Sequence, residues 1–298
     1  MDPPAVVDRV ETFSEQRSLL FSIAYRMLGS VMDAEDMVQE TFLRWQDAPV
    51  KEVRSPKSYL STVITRLCID QLRSAKTQRE QYIGPWLPEP LITEETSDVD
   101  EHLALADSLS MAFLVMLERL SPLERAVFLL REVFDYAYQE IATIVDKSEA
   151  NCRQMVHRAR EHISVGDRRF EITQEQLDEL SARFVAATTN GDMDALIELL
   201  SEDVTVWSDG GGKVPAALNP IYGPDRVARF FIGLASKMPP STQMRTARVN
   251  GRPGFITWID GLIYMVAEVS FRDGKIDGVR VVRNPDKLRH VPAAPAGR

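Results

Sequence analysis

SPLERAVFLLREVFDYAYQEIATIVDKSEANCRQMVHRAREHI, residues 121 to 163, decides how this chain is read. Ser121, Pro122 and Glu124 form a helix start: a capping hydroxyl, a first-turn proline and an acid near the positive end of the helix dipole. Ala126, Phe128, Leu129, Leu130 and Val133 then supply an apolar stripe. A short second helix is expected from Tyr138, Ile141, Ala142 and Val145, with a turn at Asp146 and Lys147. Ser148 and Glu149 open a third helix. In that helix Cys152, Met155, Val156 and Ala159 recur on the inward face. Asn151, Arg153, Gln154, His157, Arg158 and Arg160 are left outside, donors and acceptors suited to base edges and phosphates. The pattern is a helix-turn-helix whose last helix reads DNA.

Outward from this stretch, 298 residues with 44% apolar side chains leave room for two or three domains with real cores. No apolar run is long enough for a membrane span, and MDPPAVVDRVETF lacks the basic and apolar regions of a secretion signal, so a cytoplasmic protein is expected. Cys68 and Cys152 lack metal-ligand spacing and read as buried reduced thiols, with neither metal nor cofactor implied. The net charge of -9 is awkward for a protein that binds DNA unaided, because phosphate neutralisation dominates such affinity. Residues 1 to 171 carry 20 Lys and Arg against 29 Asp and Glu, so the DNA-binding portion holds the whole deficit. Basic residues nevertheless cluster locally, seven against three acids over 51 to 81 and six against three over 147 to 169. A factor that meets DNA when docked on a larger basic machine has this pattern.

The first domain is expected over residues 8 to 81. Phe13, Leu19, Leu20, Ile23, Ala24, Met27 and Leu28 stripe one helix, closed by Gly29. Asp33 to Trp45 forms a second, with Met37, Val38, Phe42 and Leu43 as its apolar positions. A third, from Tyr59, has Tyr59, Leu60, Val63, Ile64, Leu67, Ile69 and Leu72 as core contacts. Arg54, Lys57, Ser58, Arg66, Arg73, Lys76 and Arg79 remain for solvent or phosphate. A linker at residues 82 to 104 follows. Tyr82, Ile83, Trp86 and Leu87 are too apolar for a bare tether and call for a docking partner, whereas the acidic stretch Thr93 to Glu101 reads as solvated.

The helix-turn-helix, YQEIATIVDKSEANCRQMVHRAR, resembles the fourth-region domain of bacterial sigma factors of the extracytoplasmic-function type. It departs from their pattern at Asp146, where glycine is usual, and at Asn151 and Cys152, where Thr and Val are usual. DAEDMVQETF, residues 33 to 42, is similar to the second-region motif of the same family. The resemblance implies polymerase-core contacts at Asp33, Glu35, Asp36, Gln39, Glu40 and Phe42. It implies reading of a −10 element through Arg54, Lys57, Ser58, Arg66, Arg73 and Lys76, although Leu67 stands where an asparagine is common. It also implies reading of a −35 element through Ser148, Asn151, Arg153, Gln154, His157, Arg158 and Arg160 in a domain at 105 to 165. RNA polymerase core and promoter DNA are then the partners, and no catalysis is required.

Residues 171 to 290 change period. Helices over 174 to 189, from 192 to 200 and after Gly223-Pro224 precede strand-like runs near 244 to 249, 255 to 259, 262 to 271 and 276 to 282, with a hairpin turn at Arg272 to Lys275. Helices followed by an antiparallel sheet imply an α+β cone, and TNGDMDALIELLSEDVTVWSDGGG resembles the SnoaL-like superfamily. The fold class is thus two all-α sigma domains plus an α+β SnoaL-like cone. Trp86 to Pro90, Asp209 to Lys213 and Asn284 to Leu288 match a sigma subgroup with such an extension, which points to regulatory contacts at Trp86, Asp209, Lys213, Asn284, Asp286 and Lys287. The cone also leaves a place for a ligand or protein regulator. Two rivals stay open at this point. One is a stand-alone helix-turn-helix regulator. The other is a small-molecule isomerase or cyclase with Asp209, Lys213, Asp260, Tyr264 and Glu268 lining the cone cavity.

Overall fold

A computed structural model describes residues 9–48, 55–79, 82–93, 107–163 and 174–294, without the side chains of 75–79 and 174–178. The chain divides into two compact units, Met1–Glu80 with Met116–Val165, and Gln81–Val115 with Gly166–Arg298.

The first unit is all helical. Helix α1 (Arg9–Leu28) ends at Gly29, whose φ of 68° relieves the last turn, and α2 (Val31–Asp47) starts where Ser30 Oγ accepts the Asp33 N–H at 3.0 Å. Helix α3 (Pro56–Arg79) closes a three-helix core around Leu20, Ile23, Leu60 and Ile64, all essentially inaccessible. Helix α4 (Met111–Leu117), which belongs to the second unit up to Val115, leads to the helix-turn-helix, formed by α5 (Pro122–Glu132), α6 (Tyr138–Val145) and α7 (Glu149–His162). Its start is the reciprocal Ser121–Glu124 capping box. Asp146 takes the left-handed turn at φ 54°, the conformation glycine usually supplies there, and Ser148 Oγ caps α7 through the Asn151 N–H at 3.3 Å. Cys152, Met155, Val156 and Ala159 are buried, as their spacing predicts. The two parts of this unit are also bonded to each other. Tyr136 Oη and Ser61 Oγ share a buried hydrogen bond of 2.7 Å, and Arg125 donates to the Met27 carbonyl at 2.7 Å.

The second unit holds α8 (Gln174–Asn190), α9 (Met193–Leu199), α10 (Pro224–Ala235) and a seven-stranded sheet. Its strands are β1 (Ile92–Thr93), β2 (Leu200–Asp209), β3 (Ile221–Tyr222), β4 (Thr242–Val249), β5 (Arg252–Ile259), β6 (Leu262–Arg272) and β7 (Lys275–Val282), in the order β1-β4-β5-β6-β7-β2-β3. Strands β4 to β7 form a meander joined by Asn250-Gly251, Asp260-Gly261 and Asp273-Gly274. Each pair has positive φ at both residues, the geometry that matches strand twist. Both faces of the sheet are covered. Phe255, Ala267, Val269, Val279 and Val281 pack against Phe184, Leu196 and Phe231 of the helices. Their neighbours Ile256, Trp258, Val266 and Val282 pack on the other face against Leu87, Met111, Leu288 and Val291. The described part of the stretch read as a linker, residues 82–93, therefore belongs to a third layer of this unit, and its Ile92–Thr93 extends the sheet beside β4.

Candidate functional site

The third layer is fastened at three buried polar residues. Asp209, fully buried at the end of β2, accepts from Tyr82 Oη at 2.5 Å and the Gly211 N–H at 3.0 Å on one oxygen. Its other oxygen accepts from the Leu87 N–H and Lys287 Nζ, both at 2.8 Å. The carboxylate is thus saturated, as a buried charge must be. Burial, reinforced by the Asp209 bond, holds the Tyr82 phenol well above its usual pKa. Lys287 also donates to the Leu87 carbonyl, and its ammonium lies 4.4 Å from the Trp86 ring centroid and 4.8 Å from that of Tyr82. Asn284 donates to Tyr82 Oη at 2.9 Å, and Asp286 pairs with Lys213. The six expected contact residues are brought together here. Asn250 is the second fastening, exchanging bonds with Leu91 and donating to the Leu109 carbonyl. Glu268 is the third, accepting the Met111 N–H at 2.7 Å.

The glycines after Asp209 are tightly packed. Gly211 has φ 59°, and a side chain there would collide with Asn284; one at Gly212 would meet Ile83 Cδ1 at 2.9 Å. The cone expectation also needs correction. None of the five residues proposed to line it does so: Asp209 and Glu268 face the third layer, Lys213 and Asp260 lie at the surface, and Tyr264 sits under the Arg283 guanidinium at 4.2 Å. Strand parity is the cause, because Ala267 and Val269 face the cavity and Glu268 between them cannot.

On the first unit, α2 presents Met32, Asp36, Gln39 and Leu43 along one exposed stripe. Leu43, one of the apolar positions marked by periodicity, is 49% exposed and Met32 is 46% exposed; the sequence reading did not single out Met32. Phe42 instead packs on Phe13 with ring centroids 4.8 Å apart. Asp33 lies in the capped first turn, Glu35 pairs with Arg17 and Glu40 with Arg44. On α3, Tyr59 packs on Trp45, Arg73 pairs with Asp70, and Ser58 lies in the first turn. Lys57 stands over the Tyr136 ring at 5.7 Å. Arg66 donates to the Ile144 and Thr143 carbonyls at 2.9 and 3.3 Å, engaging the negative end of α6. Arg54 and the Lys76 side chain lie outside the described residues, as does the acidic stretch beyond Thr93.

On α7, Asn151, Gln154 and His157 are open to solvent, while the arginines have acidic neighbours. Arg153 pairs with Glu149 and stacks on Tyr138, Arg158 lies 3.8 Å from Glu124, and Arg160 holds Glu132 through both oxygens. Such exposed pairs contribute about 0 to 1 kcal/mol each and exchange readily for phosphate. Among the described residues no helix is long and apolar enough to cross a membrane, and no cluster of His, Cys, Asp or Glu could hold a metal ion.

The helical unit is that of a sigma-70 protein: residues 12–78 match sigma-70 region 2 and residues 110–163 match sigma-70 region 4. The whole chain is 37% identical over 305 residues to the ECF RNA polymerase sigma factor SigJ of Mycobacterium tuberculosis, covering 97% of each, and 34% identical to that organism's probable ECF sigma factor SigI, covering 91% of this chain and 92% of the relative. The crystal structure of the SigJ protein superposes with a TM-score of 0.76 at 35% identity, over 96% of this chain and 100% of that one. The chain belongs to the extracytoplasmic-function sigma factors. It is an alternative sigma factor, whose partners are RNA polymerase core and promoter DNA. A stand-alone helix-turn-helix regulator would have no use for a region 2 domain.

Proposed function

We propose that this sigma factor docks on core polymerase through the exposed stripe of α2, reads the −10 element with the basic face of α3 and the −35 element with α7, and is governed by its own C-terminal unit. Asp36, Gln39 and Glu40, with Asp33 and Glu35, supply the polar part of the docking face, and Met32 and Leu43 add an apolar part. Lys57, Ser58, Arg66 and Arg73, with Arg54 and Lys76, form the −10 surface. Ser148, Asn151, Arg153, Gln154, His157, Arg158 and Arg160 form the −35 surface. Arg66 can reach DNA only after releasing the carbonyls of α6, so the free chain is an arrangement that opens on the promoter.

The observation that carries the regulatory part is the docking of Tyr82 to Thr93 on the C-terminal sheet. A tether between two reading domains sets their accessible separations, and one whose residues are bound as a sheet layer has lost most of that freedom. The C-terminal unit thereby shifts the population of promoter-competent arrangements. Run-off transcription with core polymerase on genomic fragments tests this. Charge reversal of Asp36 and Glu40 abolishes core binding with an unchanged circular-dichroism spectrum. Ending the chain after about Arg169 alters promoter output, and ending it after Val282 alters it differently, because the second retains the cone but not Asn284 to Leu288. Transcription identical to that of the full chain from both shortened proteins, each folded and core-bound, refutes the regulatory role.

A further inference from the structure

The cone holds a cavity of about 550 Å³, partly open to solvent, between α8, α10 and the sheet. Its wall is largely apolar, with Phe231, Phe255 and Val281 among its residues and Met238, Met244 and Met265 as adaptable side chains. Among the described residues none that lines it is ionisable. Two buried hydroxyls in the wall, Thr257 Oγ1 and Thr188 Oγ1, have no hydrogen-bond partner among the described residues. Thr257 is 2% exposed. Proteins rarely leave such groups unpaired, because each orphan forfeits its hydration.

We propose that this cavity binds an uncharged, predominantly apolar small molecule carrying a hydroxyl or carbonyl group, and releases it chemically unchanged. The volume lies within the range of small-molecule sites, roughly 300 to 1,000 Å³. A charged ligand is excluded because no counter-charge lines the wall and an isolated buried charge is strongly penalised. A ligand oxygen in the cavity can pair with Thr257 or Thr188, whose hydroxyls make no bond to a described residue. Chemistry on the ligand is excluded for want of any side chain able to hold or move a proton at the wall. This site goes beyond promoter recognition, and its binding is measured on the sigma factor alone, so it stands or falls independently of that reading.

The test is fluorescence titration of the full-length protein with 1-naphthol, 1-methylnaphthalene and 1-naphthoate, which share a ring system but differ in polar group and charge. Saturable binding of 1-naphthol at one per chain is expected, with no 1-naphthoate binding over the same range. Thr188→Val/Thr257→Val should weaken 1-naphthol roughly three- to tenfold, one neutral hydrogen bond, and leave 1-methylnaphthalene unchanged. Because the double substitution removes orphan hydroxyls without changing shape, it should fold at least as stably as the parent. Met265→Trp, which fills the cavity, should abolish both. Absence of 1-naphthol binding, equal affinity for 1-naphthoate, or 1-naphthol affinity untouched by the double substitution overturns the proposal.

Discussion

Replacing Asp209 by Asn changes one oxygen into an amide nitrogen, and the consequence follows from the bonds that oxygen makes. Tyr82 Oη, the Gly211 N–H, the Leu87 N–H and Lys287 Nζ all donate to the carboxylate. An amide accepts on one side only, so at least one pair of donors loses its acceptor, and Lys287, whose side chain is 10% exposed, loses its counter-charge. Breaking a buried ion pair from one side costs about 3 to 5 kcal/mol. Burial of a leucine of the Leu87 kind contributes about 1.5 to 3 kcal/mol. The loss is therefore comparable to what holds the third layer on the sheet, and local release should precede global unfolding. The opening equilibrium of residues 82–93 should shift by roughly two to four powers of ten. Hydrogen exchange of these amides reads the shift directly, with urea unfolding as the global control. Adding Lys287→Met to Asp209→Asn removes the stranded charge and should restore part of the protection. Unchanged exchange over 82–93 in Asp209→Asn, or equal loss in the single and double variants, would refute the reasoning.

Three further outcomes are expected. Tyr136→Phe strands the buried Ser61 hydroxyl and should lower the urea-unfolding free energy of the helical unit by about 1 to 3 kcal/mol, with no change in the cone. Arg153→Ala or Arg158→Ala should weaken promoter binding by about 1 to 3 kcal/mol if the side chain reaches a base, or mainly flatten the salt dependence if it reaches phosphate; unchanged transcription from both would remove α7 as the reading helix. Cys68 is fully buried and its thiol is pushed well above the usual range by that burial, so alkylation by iodoacetamide at pH 8 should proceed only as fast as the unit opens, a rate that urea should raise.

The helix-turn-helix was legible because its signals are local. Ser121, Asp146 and Ser148 each satisfy or relieve the backbone within a turn of themselves, and the structure has all three in those roles. The cone was legible as a class from the change of period, and its three Asx-Gly turns fix the meander. What escaped depends on distant partners. Periodicity marks Leu43 as apolar but cannot tell whether a neighbour covers it. Asp209 to Lys213 has the composition of a loose loop, and Asn284, Tyr82 and Ile83, far along the chain in either direction, make it close-packed. Glu268 looked like a cavity acid because the sheet face it takes is set by register, with irregularities between Thr257 and Trp258 and between Ser270 and Phe271 that no local rule locates.

The third layer also has a history within each round of protein synthesis. Leu87 waits for Lys287, 200 positions later, and Met111 waits for Glu268, 157 positions later. At about 5 to 20 residues per second the ribosome needs roughly 10 to 40 s to deliver the first of these partners. During that interval the region 2 helices are already free of the ribosome, while Leu87 and Met111 have no sheet to cover. The third layer therefore assembles only in finished chains, and a prematurely terminated one emerges with Leu87 and Met111 uncovered.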